Sequence, residues 1–207
     1  MVLGIGSKKE DGKEEEKKDG GDDDEEKSTE KEKGSTVAMR QGDYMIHMYL
    51  EKIKEINVKE GETMDPMIQL ECLGQKTFSS AKDDVGGIGE IIWDEHLFLE
   101  PKSVSPKDAE DAKIEIRLMD KGMFKDALIG QFDLDLTFVY LKPDHVLLHK
   151  WIALNNPNGD DYATIQAYVK VSVAVACTGD EQVQITEDEG PEDTKVMMSP
   201  SLNPSFY

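Results

Sequence analysis

From Tyr44 onward, apolar residues recur at alternate positions in short runs separated by Gly, Pro, Asn and Asp. In "KIEIRLMD" Ile114, Ile116 and Leu118 face one way while Lys113, Glu115 and Arg117 face the other, the period-two signature of a strand with one core face and one wet face. "YMIHMYLEKIKEI" opens with the same alternation, and "MIQLECLG" and "QKTFSSA" read as two short strands broken at Gly74. "IIWDEHLFLE", "AKIEIRLMD", "IGQFDLDL", "HKWIALNN" and "IQAYVKVSVAVAC" follow. Roughly eight strands of this length and spacing predict an all-β, eight-stranded antiparallel β-sandwich. "LTFVYLK" is the one short helical turn expected, as a crossover between strands.

The pattern is absent at both ends. Residues 7–35 contain no aromatic and no aliphatic side chain, cannot offset the entropy of ordering, and are expected to be disordered. Three segments result: a charged, disordered tail over 1–42, a folded domain over 43–178, and an acidic linker or tail over 179–207. The last is Pro-bearing and closes on Phe206-Tyr207, so the sequence reads as the N-terminal piece of something longer.

The formal charge of −20 divides as −4, −10 and −6 over these segments. So acidic a chain is not expected to bind nucleic acid, which needs clustered Lys and Arg, and it has no polybasic patch to attract anionic lipid. Cys72 and Cys177 lie far apart in apolar runs and read as buried free thiols of a reducing compartment. No apolar run approaches the ~18 residues of a spanning helix, and "MVLGIGSKK" is too short for a secretory signal, so a cytoplasmic protein is expected.

One loop carries candidate chemistry. In "LMDKGMFKDALIGQFDLDL" two carboxylates, Asp120 and Asp126, flank Met123 and Phe124. Such a loop reads either as a calcium cradle with a lipid-inserting finger or as an ordinary acidic hairpin. His47, His96, His145 and His149 show no metal-triad spacing, and Trp93 and Trp151 are expected in the core. No Ser-His-Asp set, Cys-His nucleophile or phosphate loop appears, and "VGGIGE" lacks the strand–helix context of a nucleotide motif, so an enzyme is not expected.

A resemblance narrows the reading. Asp126 to Gly130, Val139-Tyr140, Pro143, His145, Lys150-Trp151 and Leu154, then Tyr168, Lys170, Ser172 and Gly179 to Glu181, fall in the order seen in ferlins. Over residues 43–182 the chain resembles a C2 domain, and specifically the second C2 domain of the ferlins, though Ala167 stands where that family usually has Gly. The resemblance implies a large parent protein with several C2 domains and a C-terminal membrane anchor. Such a protein acts in vesicle docking, fusion or membrane repair. The implied partners are other C2 domains of the same protein, trafficking proteins and a phospholipid membrane, with the domain cytoplasmic and peripheral to membranes or vesicles.

The resemblance also supplies a test of the loop. C2 calcium sites gather several carboxylates from two loops, because the ion takes six to eight oxygens. Asp65 in "NVKEGETMDPM" and Asp120 match that pattern, whereas Lys59 and Gly122 stand where carboxylates belong and Asp126 is one residue out of register. The expectation is at most a weak, degenerate calcium site at Asp65, Asp120 and Asp126, with no other cofactor. Asp126 is expected to accept backbone N–H bonds across its own turn, with Asp120 doing the same on the other side. Met123 and Phe124 are the candidate membrane contacts, but Phe124 is expected to fold back over the sandwich rim. The leading expectation is therefore a calcium-poor docking module. A calcium-dependent phospholipid binder and the regulatory C2 domain of a lipid-modifying enzyme remain as alternatives.

Overall fold

The computed structural model describes residues 38–87, 89–157, 164–181, 185 and 196–198. The expected disorder of the N-terminal tail and of most of the acidic C-terminal tail falls outside the described residues. The strands are β1 (Tyr44–Lys54), β2 (Pro66–Cys72), β3 (Gln75–Phe78), β4 (Glu90–Leu99), β5 (Lys113–Asp120), β6 (Ala127–Asp135), β7 (Val146–Asn155), β8 (Ile165–Cys177) and β9 (Val196–Met197). Two helices, α1 (Pro106–Asp111) and α2 (Leu136–Tyr140), sit in the crossovers.

Neighbouring strands run in the order β3-β2-β5-β6-β7-β8-β1-β4, all antiparallel. Between β6 and β7 the ladder thins to one pair, Gln131↔Asn155, so the sheet divides there into two four-stranded halves. Alternation decides what lies between them. Ile68, Leu70, Ile114, Ile116 and Leu118 from one half, and Ile46, Met48, Leu50, Val169 and Val173 from the other, are all fully buried. Each aliphatic side chain so placed contributes about 1.5–3 kcal/mol relative to exposure. The eight-stranded antiparallel sandwich is therefore as the pattern predicts. The pattern does not show β9, which lies parallel to β7 through Trp151↔Val196 and Ile152↔Met197.

The open edges, β3 and β4, are tied by side chains. Gln75 donates to the Glu100 carbonyl at 3.1 Å and accepts from the Glu100 amide at 2.9 Å. Nearby, the Ser80 amide donates to Glu95 Oε2 at 2.8 Å and Trp93 Nε1 donates to the Ser80 carbonyl at 2.9 Å. Backbone groups that would otherwise offer a template for aggregation are thus partly occupied.

Two sequence expectations need correction. Helix α1 was not anticipated, although its cue is present: Ser105 caps the Asp108 amide at 3.1 Å and Pro106 occupies the first turn, where a missing N–H costs nothing. Trp93 belongs to the central core, but Trp151 does not. Its neighbours Ile152 and Leu154 take the inward positions, so the Trp151 ring lies buried on the outer face, with Lys54 Nζ 4.5 Å from its centroid. The strand pairing also brings two histidines together, His47 and His96 meeting at 2.8 Å between Nε2 and Nδ1.

Two irregularities bring charge onto that same outer face. A bulge between Leu50 and Lys52, and another between Leu147 and Lys150, place Glu51 within reach of the opposite strands. Glu51 pairs with Lys170 Nζ at 3.2 Å and His149 Nδ1 at 2.8 Å, both carboxylate oxygens being occupied. A buried carboxylate is tolerated because its lone pairs are met.

Burial, and then the neighbouring His96, hold the His47 imidazole down at about 4. It is neutral in the folded protein where the unfolded chain, near 6.5, binds a proton. The associated stability is present above about pH 6.5 and is lost as pH falls toward 4. We expect the wild-type chain to lose about 2–3 kcal/mol more than His47→Gln between pH 7 and pH 4, measured by denaturant unfolding at each pH.

Candidate functional site

The connections β1–β2 (55–65), β3–β4 (79–89) and β5–β6 (121–126) are stitched together by backbone and carboxylate bonds. Met64 and Val85 exchange amide-to-carbonyl bonds at 3.0 and 2.8 Å. The Asp65 amide donates to Asp120 Oδ1 at 2.8 Å, and the Asp84 amide donates to Asp65 Oδ1 at 2.8 Å. The Lys121 amide completes the junction by donating to the Asp65 carbonyl at 2.9 Å. Asp65 and Asp120 therefore act as acceptors that fasten three loops to one another.

Asp126 behaves as the turn argument predicts, accepting the Gly122 amide at 3.2 Å across its own loop. Asp120 does not mirror it; its bond goes to the first loop, because it closes β5 directly opposite Pro66. Gly122 has a steric reason. A Cβ there would stand 2.2 Å from the Lys125 carbonyl oxygen, so the position that the calcium pattern fills with a carboxylate admits no side chain without moving the loop.

A cavity of about 240 Å³ opens beside the β1–β2 connection, with Asn57, Lys59, Glu62, Asp120, Asn156 and Gln166 among its lining residues. Lys59 and Asp120 both line that cavity, so a cationic side chain stands in its wall where the calcium pattern has a carboxylate. Among the described residues no group of three or more His, Cys, Asp or Glu side chains is gathered so as to hold a metal ion. Asp65 and Asp120 are brought together; Asp126 is engaged across its own turn. These residues do not fit an ion that takes six to eight oxygens.

At the tip the sequence expectation fails. Phe124 does not fold back over the rim: it is 97 % exposed, and Met123 is 92 % exposed. The tip is too short to return, since β6 resumes at Ala127 and the Asp126–Gly122 bond pinches the base. Lys121 and Lys125 flank the two apolar side chains, both exposed. On the outer face of the β3-β2-β5-β6 half the arginine is already engaged by neighbouring side chains: Arg117 is met by Glu71 at 2.5 Å, by Glu115, and by Gln131 at 3.0 Å.

The family model for the C2 domain matches residues 45–154. The chain belongs to the C2 domain family. This C2 domain is 30 % identical over 137 residues to myoferlin of Xenopus tropicalis, covering 66 % of this chain and 7 % of that protein. It is 31 % identical over 122 residues to human myoferlin, covering 58 % of this chain and 6 % of that protein. The chain thus spans a small fraction of these relatives, and the likeness is ferlin-like at the level of one domain. A C2 domain of plant extended synaptotagmin 1 superposes with a TM-score of 0.50 at 13 % identity, covering 66 % of this chain and 96 % of that one, a likeness of fold. Among the described residues no helix is long and apolar enough to cross a membrane.

What sequence reading missed at this end is the cross-loop role of Asp65 and Asp84, because no local spacing encodes a bond between separate loops. Two outcomes follow for the C2 loops. Asp126→Asn should lower unfolding stability by about 0.5–2 kcal/mol, equally in calcium and in chelator, as expected for one charge-assisted turn bond. Gly122→Asp should destabilise by about 1–3 kcal/mol in the same measurement, through the clash with Lys125.

Proposed function

We propose that this chain is a ferlin-type C2 module, corresponding to the second C2 domain of such a protein, that docks to membranes without depending on calcium. The observation that carries the reading is the exposed Met123–Phe124 pair on a loop whose base is closed by Asp126 and Gly122. A tip shaped by its own turn bond needs no ion to present its side chains. Burying Phe124 in an apolar interface contributes about 1.5–3 kcal/mol, with Met123 adding to it.

Charge selects the surface. With a net charge of −20, the chain is repelled by anionic lipid and favours a zwitterionic interface or a protein partner. Lys121 and Lys125 then sit at headgroup level beside the inserted pair, their stems apolar and their ammoniums wet. One aromatic and one Met give weak attachment, so stable residence requires other membrane-binding parts of the parent, as the several C2 domains and terminal anchor of a ferlin would supply. The ferlin likeness supports cytoplasmic placement at vesicles and a part in docking and fusion alongside other C2 domains or trafficking proteins.

Flotation of the full chain with phosphatidylcholine vesicles tests this. Binding should be equal in calcium and in chelator, and Phe124→Ala should weaken it by roughly tenfold or more, the equivalent of losing that side chain's burial. Binding that appears only with calcium, and is lost in Asp120→Ala, would instead support a calcium-dependent phospholipid binder.

A further inference from the structure

The seam between β6 and β7 leaves one flank of β7 with a single partner residue on β6, Gln131 opposite Asn155. The chain's own β9 takes part of that flank, pairing parallel at Trp151 and Ile152, the one parallel strand pair among the described residues. A two-residue strand is well short of the usual ~5–6 residues and is correspondingly easy to exchange. Its side chains are divided: Met197 packs on the core, whereas Val196 and Met198 remain 37 % and 42 % exposed. A second anchor lies upstream, where Ile185 is buried against Tyr49, Ala174 and Val146 on the outer face of the same sheet half.

That face has its own chemistry. Across paired strands, Trp151 stands opposite Lys170, and Lys170 opposite Lys52. Lys54 and Lys52 both approach the Trp151 ring, at 4.5 and 5.9 Å from its centroid. Lys170 is buried in its pair with Glu51 and Lys52 is paired with Glu90, so Lys54 over the indole is the cation this face presents on an acidic chain. By sequence, the residues joining the two anchors carry Glu187, Asp188, Glu189, Glu192 and Asp193. An acidic tract followed by a short apolar strand is thus the composition of the segment whose two anchors this face holds.

We propose that the outer face beside the β7 edge is a docking site for an extended peptide, acidic and then apolar, which adds parallel to β7. The chain's own Ile185 and Val196–Met197 anchors hold the site in cis, and a partner segment of the same chemistry displaces them. Main-chain pairing supplies the affinity in such strand addition, and the side chains supply selectivity. Lys54 selects carboxylates upstream of the strand, and the core surface against which Met197 packs selects the apolar residue. The tethered segment competes at high effective concentration, so a free peptide binds well only after the cis strand is loosened.

Fluorescence anisotropy decides, with a labelled peptide copying residues 185–198 as the probe and the full chain as receptor. Val196→Pro removes the N–H of a one-third-exposed strand residue outside the core and should loosen β9 while leaving the sandwich folded. The peptide should bind Val196→Pro roughly tenfold or more tighter than wild type. Adding Lys54→Glu, or raising the salt concentration, should weaken that binding, and a peptide with Asp in place of Val196 and Met197 should not bind. Should circular dichroism show Val196→Pro unfolded, Met197→Ala carries the same comparison. Equal affinity for wild type and variant, or no binding to either variant, overturns the proposal. So does sedimentation showing the loosened variant as a dimer, which would make a second copy the occupant. Displacement of the peptide by phosphatidylserine vesicles would overturn it as well, by making a lipid surface the ligand.

Discussion

The rest of the structure depends on a break in the backbone ladder that lets one sheet face cover another, and here the break falls between β6 and β7. Both inner faces are apolar because residues on alternate positions point the same way, and they meet only if the sheet divides. The single Gln131↔Asn155 pair marks the division. The opposite seam, between β3 and β4, is drawn together by Gln75, Glu100, Ser80 and Glu95 instead of by a backbone ladder. The two seams thus end differently, one clasped by side chains and the other left to accept a short strand from the same chain.

The loop end follows the same economy of backbone groups. An amide left without a partner in a tight junction costs more than one hydrogen bond contributes, so any nearby carboxylate is drawn to it. Asp65, Asp120 and Asp126 each satisfy one such amide, and the loops gain their shape from those bonds. A carboxylate set built around an ion has to aim its oxygens at a common point; this set aims them at the main chain. The apolar tip is the feature of that end left without an internal partner.

Much of the fold was legible because period-two alternation is local: Ile114, Ile116 and Leu118 declare their face without knowledge of any other strand. The helix at Ser105-Pro106 was equally local, and its capping cue was simply outweighed by the surrounding strand pattern. Glu51, His149 and Lys170 were illegible, since their meeting depends on two bulges that shift register on separate strands. The His47–His96 contact required knowing that β1 pairs with β4 at one register. Phe124 failed for a different reason: a general preference for covering aromatics gave way to the geometric shortness of a pinched loop. The C2 family was legible through residue order, by the resemblance to ferlins, which no periodicity argument could reach.

The pairing of the first strand with the last long one has a mechanical consequence. Tyr44 lies opposite Cys177, so the chain enters and leaves this sandwich side by side at one corner. Once tension on the C-terminal side has drawn off Ile185 and the short β9, it would load the β1–β8 ladder one rung at a time, as in opening a zipper, and not all rungs together in shear. Resistance would then rest on what closes the first rung. There the Arg40–Asp180 ion pair, the Arg40 bond to the Tyr140 hydroxyl at 3.0 Å and the Thr178 amide on the Asp43 carbonyl at 2.9 Å are concentrated. With β9 released, the sandwich of a domain strung between others on a long chain would open from that corner, and Arg40 would be its latch.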